Sequence, residues 1–270
     1  MNKKLVLFNG FNIEYFQNDD MANSCIGRGI EWEPHILRFV EKYKELSNLE
    51  NIIDVGANFG YHSLHFSKLI KESGKIFAFE PQLQNFELLK KNVEMNNITN
   101  VVLFNNACSD VLEEVNMPYV DTSNPVNMGD FTPNVINTKQ SSKVKTIILD
   151  NLKLPKIDLI KIDVQGYEIK VLKGLKELIN KDKPILIIEL EDCSMNKVNS
   201  SCKELIKSIR ELGYYIFLLD YEYPSDHLCV HNNNLESFVD LFYKYIFENK
   251  NDNNVNHNIK FDINKKLVFT

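Results

Sequence analysis

Cysteine is scarce in this chain, and the cysteines it has are scattered. Five occur among 270 residues, and none belongs to a C-x-x-C pair. The odd number indicates free thiols, and because the six histidines are not spaced with them as ligands, the sequence predicts no zinc or other metal site. His62 and His65 stand three residues apart, a spacing that we interpret as two histidines on the solvent side of a helix.

Long apolar runs and an excess of basic residues are missing as well. No run approaches the roughly 18 residues that cross a bilayer, and the N-terminus lacks the core of a signal peptide, so we expect a cytoplasmic protein without a membrane partner. The net charge of −6 argues against a general nucleic-acid binder, which would carry a basic surface. The hydrophobic content of 44% is ample for a single large core, so we expect one domain with attached segments.

The stretch from Asn51 to Gly60 reads as a buried strand that ends in a small-residue loop before a helix. Ligands of open α/β sheets bind at such a place. Gly56 can adopt backbone angles closed to other residues, and Gly60 lets the helix begin close to the strand, so we expect a ligand to reach bare backbone amides here. The alternative is an ordinary strand-to-helix turn.

The glycine spacing separates two kinds of nucleotide site. A dinucleotide-binding loop has the pattern G-x-G-x-x-G, whereas this chain has the shorter G-x-N-x-G, with Asn58 in the middle. The shorter pattern resembles the first motif of methyltransferases that use S-adenosyl-L-methionine (SAM). Asp54 stands at the usual acidic position, where a carboxylate attracts the positive charges of SAM and would repel a diphosphate.

A second acidic residue ends the next predicted strand. Glu80 lies twenty residues beyond Gly60, where a Rossmann-like unit carries the acid that binds ribose hydroxyls. Pro81 then ends the strand, because proline has no backbone N–H. The competing interpretation of Glu80 is a solvated strand end.

Strand and helix patterns alternate regularly through the middle of the chain. This alternation predicts an α/β fold with a Rossmann-like, doubly wound, mostly parallel seven-stranded sheet. The connection between the last two strands is too short for a parallel crossover, so they form an antiparallel C-terminal hairpin. The predicted strands are 51–55, 75–80, 101–106, 157–163, 184–190, 214–220 and 227–231. The predicted helices are 61–71, 83–96, 167–180 and 198–212.

Segments on either side of this core are less regular. Residues 1–50 hold an apolar run that suits an edge strand or a hairpin arm, and a helix with Pro34 in its first turn that covers the sheet or the cofactor mouth. Residues 51–231 form the predicted SAM-binding core. Residues 232–270 are expected to form a C-terminal helix and an asparagine-rich tail. The tail has too few apolar residues to bury the surface that folding requires.

Across residues 31–231 the chain resembles the FkbM-type family of class I methyltransferases. The likeness is carried by Asp54-Val-Gly-Ala-Asn-Phe-Gly-Tyr-His62, Phe79-Glu-Pro81, Leu89 with Asn92-Val93 and Asn96, Ile160-Lys-Ile-Asp-Val-Gln-Gly-Tyr-Glu168 and Val171-Leu-Lys-Gly174. The resemblance implies a SAM-dependent methyltransferase that modifies a hydroxyl group of a small-molecule or carbohydrate substrate.

The block that ends the fourth core strand is where we expect the chemistry. Asp163 leaves the strand on the same edge of the sheet as Gly56, so we expect it beside the transferable methyl group. There it would contact the cofactor and act as a catalytic residue. It could also cap the next helix, and the two roles can coexist. A hydroxyl nucleophile needs a base, for which Asp163 and Glu168 are the first candidates and Glu189 and Glu191 the second.

One position in this block departs from the family pattern. Members of the family carry Asp-x-Glu-Gly-x-Glu, whereas this chain has Gln165 in place of the first glutamate. The change weakens any catalytic role at that position.

The turn after the third core strand is where this fold contacts adenine. Asn106, Ala107 and Ser109 are the candidates for that contact, and the alternative is a plain Asx turn. The following residues, 111–150, form an insertion that is too long for a connector, and we expect it to cover the substrate.

Three further functions stay open. A nicotinamide-dependent oxidoreductase is disfavoured by the short glycine spacing and by the lack of a Tyr-x-x-x-Lys pair in the crevice segments. A SAM-binding protein with lost or weak turnover is suggested only by Gln165. Methylation of a nucleic acid would require a local basic surface.

Overall fold

The computed structural model describes residues 2–135, 140–219 and 225–239. Most of the predicted C-terminal helix and all of the predicted asparagine-rich tail lie outside these residues. The strands are β1 (Lys3–Phe8), β2 (Phe11–Phe16), β3 (Ile52–Val55), β4 (Ile76–Phe79), β5 (Val101–Phe104), β6 (Ala107–Cys108), β7 (Glu114–Pro118), β8 (Ser141–Ile147), β9 (Leu159–Ile162), β10 (Ile185–Leu190), β11 (Tyr214–Leu218) and β12 (Ser225–His231). The helices are α1 (Asp20–Ser24), α2 (Pro34–Leu46), α3 (Tyr61–Leu69), α4 (Leu83–Met95), α5 (Glu168–Gly174), α6 (Lys176–Asp182), α7 (Asp192–Asn196) and α8 (Cys202–Glu211).

Seven strands form one sheet in the order β11-β12-β10-β9-β3-β4-β5. The strands from β10 to β5 run parallel, and β12 is antiparallel to both of its neighbours. Every residue of β3, β4 and β9 is buried, as expected for strands covered on both faces. The predicted mostly parallel, Rossmann-like sheet with an antiparallel C-terminal hairpin is confirmed.

The chain consists of two compact units, Met1–Asn232 and Asn233–Thr270. The first unit contains all the strands and helices named above. The finer domain boundaries predicted at residues 50 and 231 stay predictions.

Helix α8 begins later than the sequence pattern suggests. The prediction was 198–212, but the helix starts at Cys202 because the side chain of Ser201 accepts a hydrogen bond from the amide of Glu204. Gly213 follows its last turn with a φ of +85°, the left-handed conformation that a helix C-cap requires.

The insertion at 111–150 is not a single loop. It contains β7 and β8, which form a separate three-stranded sheet with β6. The N-terminal turn of α4 holds the insertion, because the side chains of Gln82 and Asn85 donate to the carbonyl oxygens of Pro118 and Met128 at 3.0 and 2.8 Å. Its role as a substrate cover stays a prediction.

Side chains of the central strands alternate between an apolar and a charged face. Ile53 and Ile160 are neighbours across β3 and β9 and belong to the apolar core packed by α5, α6 and α8. The adjacent pair, Asp54 and Lys161, points to the opposite face. Both are buried, with exposures of 0% and 2%. Charged side chains are almost never fully buried unless they are paired, so we take this face of the sheet as the candidate functional face.

Candidate functional site

The loop after β3 is tightly enclosed. Gly56 and Gly60 have φ values of +83° and +96°. A Cβ atom on Gly56 would lie 1.8 Å from the carbonyl oxygen of Asp163, and one on Gly60 would lie 2.6 Å from Cδ1 of Leu89. Asn58 also has a positive φ, of +51°, which asparagine tolerates better than most residues. The backbone of this loop therefore requires the residue types that the motif contains.

The expectation of bare amides in this loop is wrong. All the amides from residue 56 to residue 60 donate to acceptors within the protein. Those acceptors are the carbonyl oxygen of Phe79 for Gly56 and Ala57, the Glu80 carboxylate for Asn58, the Asn58 side chain for Phe59 and the Ala57 carbonyl for Gly60. A diphosphate would find no free donor in this segment, which counts against a dinucleotide site.

Asp54 has an unpaired carboxylate oxygen beneath this loop. Its Oδ2 accepts a hydrogen bond from Ser63 Oγ at 2.5 Å, whereas its buried Oδ1 has no hydrogen-bond partner in the described part of the chain. Burial raises the pKa of Asp54, and the charge of Lys161 opposes that rise. A buried acceptor without a partner costs stability unless a ligand completes it. Oδ1 therefore fits a cationic group such as the ammonium group of SAM.

Glu80 ends β4 beside the same loop. Its Oε2 accepts from the amide of Asn58 and its Oε1 from the amide of Gln82, both at 2.8 Å. Burial raises the pKa of Glu80 to about 7. Each oxygen keeps a second lone pair, so one carboxylate can still accept two ribose hydroxyls.

Asp163 follows β9 and forms an ion pair with a buried lysine. Its Oδ2 lies 3.0 Å from Lys161 Nζ, whose side chain is 3% exposed. Burial would raise the pKa of Asp163, but the ammonium group of Lys161 holds it below its usual range. The helix α5 has its N-cap at Tyr167, so the alternative that Asp163 caps the helix is wrong. Asp163 is an ionised carboxylate on the functional edge of the sheet.

Gln165 joins two carboxyl groups through its amide. Its Nε2 donates to Asp163 Oδ1 at 3.2 Å and to Glu189 Oε2 at 2.9 Å. Its Oε1 accepts from Ser194 Oγ at 2.8 Å, and its carbonyl oxygen accepts from Thr132 Oγ1 at 2.7 Å. A glutamate carboxylate at this position could not donate hydrogen bonds to Asp163 and Glu189. The glutamine amide, although it departs from the family pattern, therefore suits these two neighbours.

Glu168 binds the loop that contains it. Its Oε1 accepts from the amides of Gly166 and Val164 at 3.1 and 3.4 Å. Burial raises the pKa of Glu168 to about 7. These contacts give Glu168 a role in holding the loop after β9, which leaves it less suited to act as a base.

Glu189 and Glu191, the second choices for the base, also have partners. Burial and the charge of Asp163 raise the pKa of Glu189 to about 11, so this carboxyl group carries a proton at neutral pH. Glu191 accepts a hydrogen bond from Ser194 Oγ next to α7.

The adenine candidates lie in and next to β6, shortly beyond the end of β5. The side chain of Asn106 donates to the carbonyl oxygen of Lys145 at 3.0 Å. Ser109 is buried, and its carbonyl oxygen lies against Gly174 of α5. The residue of this turn that contacts Glu80 is instead Asn105, whose side chain donates a hydrogen bond to the carbonyl oxygen of Glu80 at 2.8 Å. Its place directly after β5 was an available signal.

Sequence reasoning also missed a buried group of charges on the functional face. Five carboxyl groups interact there with one another, and all of them except Glu189 also interact with Lys161. We call them the carboxylate cluster: Glu33, Asp54, Asp163, Glu189 and Asp226. Burial alone would lower the pKa of Lys161, but the carboxylates, Asp163 first, raise it. A lysine within an apolar strand was the signal for this cluster.

Two histidines border the carboxylate cluster. His62 is 7% exposed, so its assignment to the solvent side is wrong. Its Nε2 lies 3.4 Å from Glu33 Oε2, and burial lowers the pKa of His62 well below its usual value. His35 Nε2 lies 2.7 Å from Asp226 Oδ2. His65 is half-buried, with Nδ1 2.8 Å from the carbonyl oxygen of Tyr61.

Within the described residues, no group of three or more His, Cys, Asp or Glu side chains could hold a metal ion. A search of the same residues for a helix with the length and apolar character of a membrane span found none.

Comparison with known proteins identifies a family. The model of the methyltransferase FkbM domain matches residues 54–216, more than half of the chain. Hexuronic acid methyltransferase AglP from Haloferax volcanii is 25% identical over 167 residues, which cover 59% of this chain and 63% of that protein. Methyltransferase 1 from Beauveria bassiana is 23% identical over 148 residues, which cover 47% and 58%. The chain thus spans less than two thirds of either relative.

Among solved structures, methyltransferase FkbM from Methylobacillus flagellatus KT aligns with a TM-score of 0.47 and 16% identity. The alignment covers 68% of this chain and 44% of that chain.

Proposed function

This chain belongs to the FkbM methyltransferase family, whose class I enzymes use SAM, and we propose that it methylates a hydroxyl oxygen of a sugar or another small molecule. The observation that carries the proposal is the ionised carboxylate of Asp163 next to the enclosed loop after β3. A hydroxyl nucleophile needs a proton acceptor at this position.

Several residues fit the cofactor. Glu80 is the partner for the ribose hydroxyls, and the unpaired Oδ1 of Asp54 is the partner for the ammonium group. Gly56, Asn58 and Gly60 shape the loop between them. Asn106, Ala107 and Ser109 remain the proposed adenine contacts, and Asn105 joins them. Bound SAM supplies a methyl group on a positively charged sulfur atom.

Asp163 and its neighbours would perform the acceptor half of the reaction. Holding the hydroxyl oxygen in line with the methyl group removes an orientational barrier of up to about 7–11 kcal/mol. The hydroxyl oxygen would bond to the methyl carbon as the carbon–sulfur bond breaks and its electron pair stays on sulfur, and the hydroxyl proton would pass to Asp163, which Lys161 keeps ionised until then. Glu168 acts through the loop that it holds, so we regard it as a positioning residue.

Support for a sugar-type acceptor comes from a relative. One protein that resembles this chain carries the name hexuronic acid methyltransferase. Trp32 adds physical support, because its indole ring lies 5.6 Å from the ring of Phe59 in the loop after β3. Aromatic rings beside polar groups suit the apolar face and hydroxyl edge of a sugar.

The two alternatives have less support. An oxidoreductase would bind a diphosphate, for which the loop after β3 has no free amide. A binding protein without turnover was suggested by Gln165, but the hydrogen bonds that this residue donates to Asp163 and Glu189 favour a role in orienting the two carboxyl groups.

Turnover with SAM and a panel of hydroxylated compounds tests this function. We expect release of S-adenosylhomocysteine (SAH) and a methyl ether product, identified by mass spectrometry and by its stability to alkali. Asp163→Asn should lower kcat at least about 100-fold, the range of general acid–base effects, and change the Kd for SAH less than about threefold. Asp20→Asn, an exposed control, should change neither. A methyl ester or methylamine product would overturn the proposal.

A further inference from the structure

The order of strands indicates where the acceptor binds. Glu80 directly follows β4, the loop with Gly56 follows β3, and Asp163 directly follows β9. Beyond β9 the sheet continues with β10 and β12. Because the adenosyl group extends from β3 toward β4, the acceptor must approach the methyl group from the other side, over β10 and β12. This step rests on the proposed function.

Two acidic residues occupy that side. Glu189 of β10 and Asp226 of β12 are direct partners in the antiparallel ladder, so their side chains lie on the same face of the sheet. Two ionised carboxylates directly opposite each other would destabilise a sheet, and Glu189 avoids this repulsion by keeping its proton, because burial, Asp163 and Asp226 raise its pKa. Both are mostly enclosed, and Glu189 binds Gln165 while Asp226 binds His35. A costly pair of acids next to the reacting centre is evidence for a ligand.

The start of α2 adds groups whose polar atoms are incomplete. Glu33 Oε2 and His62 Nε2 are buried and have no hydrogen-bond partner among the described residues, although they lie 3.4 Å apart. Glu33 also has a φ of +46° directly before Pro34. Strained backbone and unsatisfied polar atoms persist where the surrounding structure or a ligand requires them.

The charge balance of the carboxylate cluster restricts the acceptor. It contains five carboxyl groups and one lysine, and burial and Asp226 raise the pKa of Glu33 well above its usual value. Burial and neighbouring carboxylates raise the pKa values of both Glu33 and Glu189, so this place disfavours negative charge, and an acceptor carboxylate would meet the same unfavourable environment. Neutral hydroxyl groups can instead donate to the carboxylates and accept from the histidines.

We propose that the acceptor is an uncharged sugar ring, whose hydroxyl groups bind Glu33, His35, Glu189 and Asp226 and whose apolar face lies against Trp32. The site discriminates against the corresponding uronic acid. In this respect the chain departs from its relative named for a hexuronic acid.

Matched glycosides test this preference. The probes are p-nitrophenyl glucoside, galactoside and mannoside, the glucuronide and galacturonide, and the glucosaminide. Initial rates of SAH formation give kcat/KM, and titration of the SAH-saturated protein gives Kd for each compound. We expect at least one neutral glycoside to bind and react, with kcat/KM and affinity at least about tenfold above those of its uronic acid, a difference of about 1.4 kcal/mol.

Variants connect the preference to the cluster. Asp226→Asn and Glu33→Gln should raise KM for the neutral glycoside at least about fivefold, because each changes a hydrogen-bonding partner of its hydroxyl groups. Asp226→Asn should also narrow the margin in kcat/KM over the uronic acid, because it removes an acid that repels the acceptor carboxylate. Their Kd for SAH should stay within about threefold. Glu31→Gln, an exposed neighbour, is the matched control and should alter neither value.

The outcomes separate this inference from the proposed function. Equal or faster methylation of hydroxyl groups on the uronic acid or the amino sugar would overturn the inference and leave O-methylation standing. A methyl ester on the uronic acid would overturn both. If SAH binds but no glycoside binds the SAH complex with a Kd below about 10 mM, the inference is wrong whatever the true acceptor is.

Discussion

Gly56 and the carbonyl oxygen of Asp163 are so close that no side chain fits between them. A Cβ atom at position 56 would lie 1.8 Å from that oxygen, far inside van der Waals contact. The contact joins the loop after β3, which we assign to SAM, to the loop after β9, which carries the proposed base. The geometry of methyl transfer therefore depends on this glycine.

We predict that Gly56→Ala destabilises the protein by about 3 kcal/mol or more and abolishes SAH binding, because the new methyl group must separate the two loops. Gly29→Ala is the matched control, since Gly29 also has a positive φ, of +74°, but has nothing within 4 Å of its Cβ position. It should cost only about 1 kcal/mol. Urea unfolding and SAH titration measure both effects, and equal losses in the two variants would contradict the account.

The pH dependence of stability should reveal Glu168. Burial raises its pKa from 4.5 to about 7, so between these values the folded state binds one more proton than the unfolded state. Its contribution therefore favours folding at low pH and is lost as pH rises toward 7. Glu168→Gln should flatten the fall in unfolding free energy between pH 5 and 7 by at most about 1.4 kcal/mol per pH unit. Parallel curves of unfolding free energy against pH for Glu168→Gln and the wild type would refute this prediction. Glu211→Gln, at an exposed position, is the control and should give the wild-type curve.

Replacing Lys161 should lower the free energy of unfolding, because the buried carboxylates would lose their positive partner. Lys161→Met leaves Asp163 and Asp54 without their nearby positive charge, and loss of one partner of a buried ion pair costs about 3–5 kcal/mol. Adding Asp163→Asn should recover about 1 kcal/mol or more, measured as the coupling free energy of a double-mutant cycle in urea. If the two changes in unfolding free energy were simply additive, the ion pair between Lys161 and Asp163 would contribute nothing to stability.

Gln165→Glu distinguishes an adapted enzyme from one that has lost turnover. The new carboxylate would lose the hydrogen bonds that the amide donates to Asp163 and Glu189 and would repel the ionised Asp163. We expect wild-type protein to turn over and the variant to lose at least about tenfold in kcat with a nearly unchanged Kd for SAH. If the variant instead gained activity, Gln165 would be a defect. Gln140→Glu, an exposed position, controls for the added charge.

Sequence patterns predicted the sheet because its strands are short apolar runs between turn residues. The run before Gly56, the acid at Glu80 and the short connection before β12 each have a direct structural cause. The free amides were predicted wrongly, because the sequence does not show that the carbonyl oxygen of Phe79 and the carboxylate of Glu80 accept from the loop.

Candidate-site residues were predictable where they belong to a local motif. Asp54 lies next to the end of β3, and Glu80 and Asp163 directly follow β4 and β9, so their edge of the sheet could be inferred. Glu33 and Asp226 come from opposite ends of the chain, and only the packing of α2 beside β12 brings His35 to Asp226. His62 was misjudged because helical spacing alone does not tell which face is covered.

Titration with SAH and, in parallel, with NAD tests the central claim most directly. The account predicts a micromolar or tighter Kd for SAH, no detectable binding of NAD, and at least about tenfold weaker SAH binding for Glu80→Gln, which loses an acceptor for the ribose. Exposed Glu72→Gln should bind as wild type does. Binding of NAD, or SAH binding that Glu80→Gln leaves unchanged, would contradict the SAM site described for the loop after β3.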